Sequence, residues 1–386
     1  MDNDQHSIQD SNEAYAVYVA QLTAEALGVA TEQSSNKRYA EFVSYLHGCG
    51  ITLEEWEHGL FGKYMRNVDA QVPKFVKRLV TTYSGSTFDF ELREKEERIL
   101  GNKADMLVNV SGLAEPHRVS VKNYMGAGGI IRPQVSSGTF LSFACEFVFD
   151  RIGVGTYTDP RNDGPFDGKF AFRGSNNAER NAVLTFQGRE QFIEPLMFLG
   201  RCQQEMRTEL LGADCEFYDA TRVRSVVERI AEPAMATVLD IFRMLDEEED
   251  KTVRLKFLAK IGMDGKEEAL FFDAERVVDS ITNPKYHDLR GWLNADSTTF
   301  RVFQHKQNIR FGFTEGTRSF GTDVPFTINT NGAWYRPKER YTGTRVYDDK
   351  GHDVALLWGQ RRPYKSKEIA TSTNTYVDLS KAGIFS

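Results

Sequence analysis

Between Asn102 and Tyr124 the chain reads NKADMLVNVSGLAEPHRVSVKNY. Met106, Val108 and Val110 recur at every second position, and Val119 and Val121 alternate with Ser120 and Lys122. A period of two is the signature of a strand with one buried face. The linking SGLAEPH is short and rich in turn-forming residues, so the two strands are expected to pair as a hairpin. In such a hairpin a slip of one residue would turn every apolar side chain outward, which ties register to burial. With the apolar sets on one face, Asp105, Ser120 and Lys122 are left to share the other. A carboxylate and an ammonium are thereby brought to one place by the requirements of the core.

The bulk properties allow such a hairpin to sit in a sizeable protein. A chain of 386 residues, 40% hydrophobic, can bury a large core and is expected to form two domains. No run of eighteen apolar residues is present, so no membrane span is expected. The acidic, polar start MDNDQHSIQDSNEAY is unlike a secretory signal. Four cysteines without a C-x-x-C pair suggest neither a zinc site nor a disulfide framework, and a reduced cytoplasmic setting is expected. Seven histidines form no H-x-E or H-x-x-x-H pair, and no P-loop, G-x-S-x-G or dinucleotide fingerprint occurs.

Charge is placed unevenly. The net charge is −7, yet the stretch from Arg301 to Lys367 holds thirteen basic and six acidic residues. That asymmetry suggests an anionic partner for the C-terminal part, a solvated mixed-charge β surface being the alternative. Arg336, Lys338, Arg340, Arg361 and Arg362 lie among aromatic residues there, and arginine forks match phosphate and guanine. His305, Lys306 and Arg310 join them as DNA-binding candidates.

The pattern along the chain divides it into four parts. Residues 1–14 read as a disordered tail. Residues 15–85 read as a helical layer, with Thr52 as an N-cap and Glu55 as its capping-box partner. Residues 86–250 hold a strand at Phe88–Leu92, the hairpin, a glycine loop at Gly126–Gly129 and several helices. One of these is expected to start at Ser136-Ser137 and to carry Phe140, Phe143, Ala144 and Phe147 as an apolar stripe. Breaks are expected near Pro195 and Pro233, and the acidic run Asp246–Asp250 closes the last helix. Residues 251–386 read as a β-rich basic region, its strands alternating basic or polar with aromatic residues.

The polar face of the hairpin carries specific chemistry. Hydrolysis of a phosphodiester needs a metal, a carboxylate to hold it and a cation to stabilise growing charge or orient water. Magnesium prefers oxygen ligands and keeps several waters, so one or two carboxylates with a backbone carbonyl can suffice. Asp105, the Val121 carbonyl and Lys122 could supply these parts.

This pattern resembles the core of the PD-(D/E)xK nuclease superfamily, which includes most restriction endonucleases. There an Asp on one strand is followed on the next by an acid, any residue and Lys. Asp105 matches the first element, and Val121 and Lys122 the last two. Ser120 stands where the acid is expected, a departure shared with restriction endonucleases of S-V-K form. In those a following helix supplies the acid, a role the resemblance assigns to Glu146. It also implies an upstream acid (Glu91, Glu94 or Glu97) and a glutamine near the site, for which Gln134 is the match.

The expectation is therefore an α+β or α/β protein. It would have a restriction-endonuclease-like mixed central sheet flanked by helices, a helical N-terminal layer and a β-rich C-terminal part. Its implied activity is magnesium-dependent cleavage of double-stranded DNA by a homodimer. Asp105, Val121 and Glu146 would hold Mg2+, and Lys122, Ser120 and Gln134 would complete the catalytic set. The competing expectation is a non-catalytic DNA-binding or phage-associated interaction protein that keeps the basic surface without a metal site.

Overall fold

The fold is taken from a computed structural model. It describes residues 8–93, 104–124, 131, 133–138, 143–144, 147, 156–157, 169–173, 182–185, 190–211, 220–306, 308–324, 327–328, 345–347, 353–356, 373–376, 379, 382 and 384. Four helices come first: α1 (Ile8–Ala26), α2 (Ser35–Gly48), α3 (Leu53–Glu57) and α4 (Gly59–Thr82). The strands β1 (Phe88–Leu92), β2 (Met106–Val110), β3 (His117–Asn123), β4 (Gln134–Gly138), β5 (Thr156–Tyr157), β6 (Lys169–Arg173) and β7 (Ala182–Thr185) follow. Then come α5 (Ile193–Leu211), α6 (Ala220–Arg243) and α7 (Glu247–Lys260), the strands β8 (Glu268–Phe272) and β9 (Val277–Asp279), and α8 (Pro284–Asn294). The chain continues with β10 (Thr299–His305), β11 (Asn308–Glu315), β12 (Arg318–Val324), β13 (Thr327–Ile328), β14 (Arg345–Tyr347), β15 (Asp353–Leu356) and β16 (Thr373–Tyr376). The protein is thus a mixed α+β structure.

Its centre is a five-stranded sheet of order β1-β2-β3-β8-β9. β1 with β2, β2 with β3 and β8 with β9 are antiparallel, while β3 and β8 are parallel. A parallel pair cannot be joined by a tight turn. The long connection from β3 to β8 carries α5, α6 and α7 onto one face of the sheet. Phe88, Phe90, Met106, Val108, Val119, Val121, Leu270 and Phe272 pack under the N-terminal helices with Val17, Phe42, Trp56, Val72 and Phe75. Ala269, Phe271 and Val278 point the other way, into a second core with Leu196, Val238, Phe242, Phe257 and Trp292. The sheet is therefore covered on both faces, as strands with alternating buried side chains require.

A second sheet, β10-β11-β12, lies beside this second core. Ile309, Phe311 and Phe313 alternate on β11 and are fully buried. The Phe311 ring stacks on Phe257 with centroids 4.4 Å apart. A third sheet, β13-β16-β4, joins Gln134–Gly138 to the C-terminal part of the chain.

Several expectations change here. The stretch 8–14 is not a tail: it forms the first turns of α1, and Ser11, Asn12, Glu13 and Ala14 are buried. The polar run Ser11-Asn12-Glu13 hid this, because its burial rests on tertiary hydrogen bonds rather than on apolar pattern. The division at residue 250 is also displaced. α7 packs in the second core, and β8 and β9 complete the central sheet, so sequence reading cut the sheet in two. Ser136 and Ser137 do not cap a helix; they lie on β4, opposite Thr375 and Asn374. Phe143, Ala144 and Phe147 are helical and buried as expected, while Phe140 lies outside the described residues. Pro233 sits within α6, and Pro195 falls in the first turn of α5, where its missing N–H costs little. The acidic run opens α7 rather than closing a helix. Asp246 caps it in a reciprocal box with Glu249, and negative charge is favourable at that end. Thr52 and Glu55 form the expected box on α3. Among the described residues, no helix is long and apolar enough to cross a membrane.

Candidate active site

The β2–β3 register pairs Met106 with Val119, Leu107 with Arg118 and Val108 with His117. Val119 and Val121 are buried beneath the N-terminal helices, so alternation turns Ser120 and Lys122 to the opposite face. Asp105 stands one residue ahead of β2 and donates its backbone N–H to the Val119 carbonyl at 2.9 Å. That places its side chain across from Ser120. The Asp105 side chain, 7% exposed, is gathered in by its neighbours. Asp105 Oδ2 accepts from the Val121 N–H at 2.7 Å, from Lys122 Nζ at 3.0 Å and from Ser120 Oγ at 3.2 Å. Lys122 Nζ also donates to the Val121 carbonyl at 3.1 Å. A carboxylate this deeply buried is tolerated only when paired and hydrogen-bonded, and here three donors converge on one of its oxygens.

Lys122 Nζ is itself a cation held by the Asp105 carboxylate and the Val121 carbonyl. The two oxygens that the sequence suggested as metal ligands thus already converge on one positive centre. Oxygen donors of this kind suit a hard divalent ion such as magnesium better than zinc, which favours nitrogen and sulfur. Among the described residues, no cluster of three His, Cys, Asp or Glu side chains is placed to hold a metal. Glu146, the expected second carboxylate, lies outside the described residues, as do Glu94 and Glu97. Glu91 is described. It lies on β1 opposite Leu107 and pairs at 3.5 Å with Arg38. Burial, then the neighbouring Asp89, pushes its carboxyl above the ordinary range.

Gln134 lies on β4 opposite Tyr376, ahead of the helical residues Phe143 and Ala144. The register of β4 with the distant β16 decided this, and nothing near Gln134 in sequence announces that pairing. Ser120 is where it was expected, as a donor to Asp105 rather than a ligand.

Sequence reasoning missed the groups that hold the end of β3. Asn123 donates to Asn12 Oδ1 at 2.9 Å and to the Tyr64 carbonyl at 3.0 Å. Asn67 donates to Asn123 Oδ1 at 2.9 Å and to the Tyr124 carbonyl at 3.1 Å. These asparagines pin the residue after Lys122 to α1 and α4. Arg93 was missed too. It is buried, 7% exposed, and donates its backbone N–H to the Asp105 carbonyl at 3.3 Å. Its position at the end of a predicted strand next to the hairpin was the available signal.

Of the DNA-binding candidates, Arg336, Lys338, Arg340, Arg361 and Arg362 lie outside the described residues. His305, Lys306 and Arg310 come together at the β10–β11 hairpin, where Lys306 takes φ 57° in the turn. His305 Nδ1 is 3.0 Å from Asp323, and Arg310 is 3.5 Å from the same carboxylate. No known protein family, curated protein or solved structure matches the chain.

Proposed function

We propose that this protein is a magnesium-dependent DNA endonuclease of restriction-endonuclease-like fold, of type II, acting as a homodimer. The observation that carries the reading is the convergence of Asp105, Lys122 and the Val121 carbonyl on the β2–β3 hairpin. The mixed central sheet, covered by helices on both faces, agrees with the architecture the S-V-K resemblance implies.

In this reading Asp105 and the Val121 carbonyl would hold the ion, with Glu146 as the further carboxylate. Bound there, magnesium would neutralise phosphate charge and favour hydroxide over water. Lys122, which donates to Asp105 and to the Val121 carbonyl, would orient the attacking water or stabilise charge on the phosphate. Ser120 keeps the Asp105 carboxylate turned toward the site. The asparagine cluster holds β3 so that Lys122 is presented from a fixed backbone, which is where precision is needed.

The test is cleavage of supercoiled plasmid by the purified chain with magnesium, beside Asp105→Ala and Lys122→Ala. Cutting by the wild type and loss in both variants is expected. Equal cutting by all three sinks the assignment. Salt-dependent duplex binding without cleavage under any divalent ion supports the non-catalytic DNA-binding alternative instead.

A further inference from the structure

The outward face of the β10-β11-β12 sheet has a composition that its stability does not require. Alternation with the buried Ile309, Phe311 and Phe313 turns Arg310 and Thr314 outward, and the register adds Arg301 and Phe303 from β10. On this face β11 and β12 each carry a glycine, Gly312 and Gly321, directly opposite one another. Phe303 rests on the first: its Cε1 lies 2.8 Å from where a Gly312 Cβ would stand. The Arg310 guanidinium rests on the second, its Nε 2.5 Å from where a Gly321 Cβ would stand. Phe303 and Arg310 are cross-strand partners, so an aromatic ring and a guanidinium lie side by side on bare backbone. Asp323 holds the guanidinium in place. Phe303 remains 42% exposed. Phe303, Arg310, Gly312 and Gly321 line a groove of about 800 Å³ that also takes in Arg243, Arg301 and Asp250.

A solitary aromatic ring cannot anchor a protein interface, which needs a broad desolvated patch. Its neighbours Arg243, Arg301, Arg310 and Lys306 outnumber Asp250 and Asp323, which leaves the face cationic. Exposed rings interleaved with cations fit a nucleic-acid strand, the bases stacking and the phosphates pairing. In a duplex the faces of the bases are covered by their neighbours, so only an unpaired base can stack on a protein ring. We propose that this face binds an unpaired polynucleotide strand, with a base against Phe303 and phosphates on Arg301 and Lys306. The inference shares the nucleic-acid partner of the endonuclease reading but does not use the metal site, so its test is run in chelator.

The experiment measures anisotropy of a labelled oligothymidylate, and of the same strand annealed to its complement, with the full chain in EDTA. Single-strand binding is expected to depend on Phe303, and duplex binding is expected to be unchanged by its loss. Phe303→Ala is expected to weaken single-strand binding about tenfold, in line with base–aromatic stacking. Arg301→Ala is expected to reduce the salt slope by about one phosphate contact. Phe303→Trp is expected to keep the affinity, with its added indole emission quenched on binding. Melting curves of the variants confirm that each is folded. Duplex binding that falls as much as single-strand binding in Phe303→Ala overturns the proposal. So does wild-type affinity in a folded Phe303→Ala, or an unquenched indole in Phe303→Trp. Loss of plasmid cleavage in Asp105→Ala with strand binding intact separates this face from the hairpin site.

Discussion

Asp105→Asn separates the structural work of the carboxylate from its chemical work. The amide keeps one oxygen where Oδ2 stands, so the Val121 N–H retains an acceptor at the 2.7 Å position. What is lost is charge. Replacing an ionised acceptor by a neutral one weakens that bond by about 1 kcal/mol. The Lys122 pair contributes about another 1 kcal/mol at most, because the lysine side chain is 37% exposed and water screens it. The sum is about 2 kcal/mol. At about 2.1 cal/mol/K per residue, a chain of 386 residues has an unfolding entropy near 0.8 kcal/mol/K, so Tm should fall by about 2–3 °C. Asp105→Ala leaves the Val121 N–H without its acceptor in a residue 2% exposed, and should cost about 3–4 kcal/mol. Urea unfolding followed by circular dichroism, beside plasmid cleavage with magnesium, measures both effects. Asn should keep most of the stability and lose cleavage by about a thousandfold, a loss typical of removing charge aimed at the reacting centre. If Asn is as destabilising as Ala, the geometry around Oδ2 has been misjudged. If Asn cuts like the wild type, the carboxylate is not a metal ligand and the catalytic reading fails.

Three further outcomes follow from the same structure. Asn12→Ala removes an acceptor of Asn123 beyond Lys122 and should cost about 1 kcal/mol, with a fall in cleavage rate larger than any change in substrate affinity; the measurement is urea unfolding with steady-state kinetics. His117, beside Tyr83 at 2.8 Å, is held below its ordinary value of 6.5 by burial, with Glu268 opposing. Its contribution is present above about pH 6.5 and lost as pH falls through the folded value, because the unfolded chain binds the proton more readily. Tm between pH 7.5 and 5 should therefore fall less steeply in His117→Asn than in wild type, and identical slopes would count against the assignment. Tyr286→Phe removes the hydroxyl that donates to the Gly262 carbonyl at 2.7 Å and should cost about 1–2 kcal/mol in urea unfolding.

The local readings that held were those whose cause is local. The alternation around Asp105, Ser120 and Lys122 could be seen in the chain because strand period and apolar pattern together decide a face. The box at Thr52 and Glu55 is likewise a matter of four consecutive residues. The expectations that moved depended on partners far away. Residues 8–14 look like solvated tail until Asn12 meets Asn123. Ser136 and Ser137 look like a helix cap until β4 meets β16.

By itself, then, the sequence determined which side chains could share the polar face of one hairpin, because neighbours along a strand settle that between themselves. Only the tertiary structure decided what closes around it. β8, nearly 150 residues downstream, lies parallel beside β3, with Lys122 level with Phe271. Pairings of that reach leave no periodic mark on either segment. They are chosen by how two apolar faces and their covering helices pack at once, and this is why the ends of the sheet and the asparagine cluster emerged only in the folded chain.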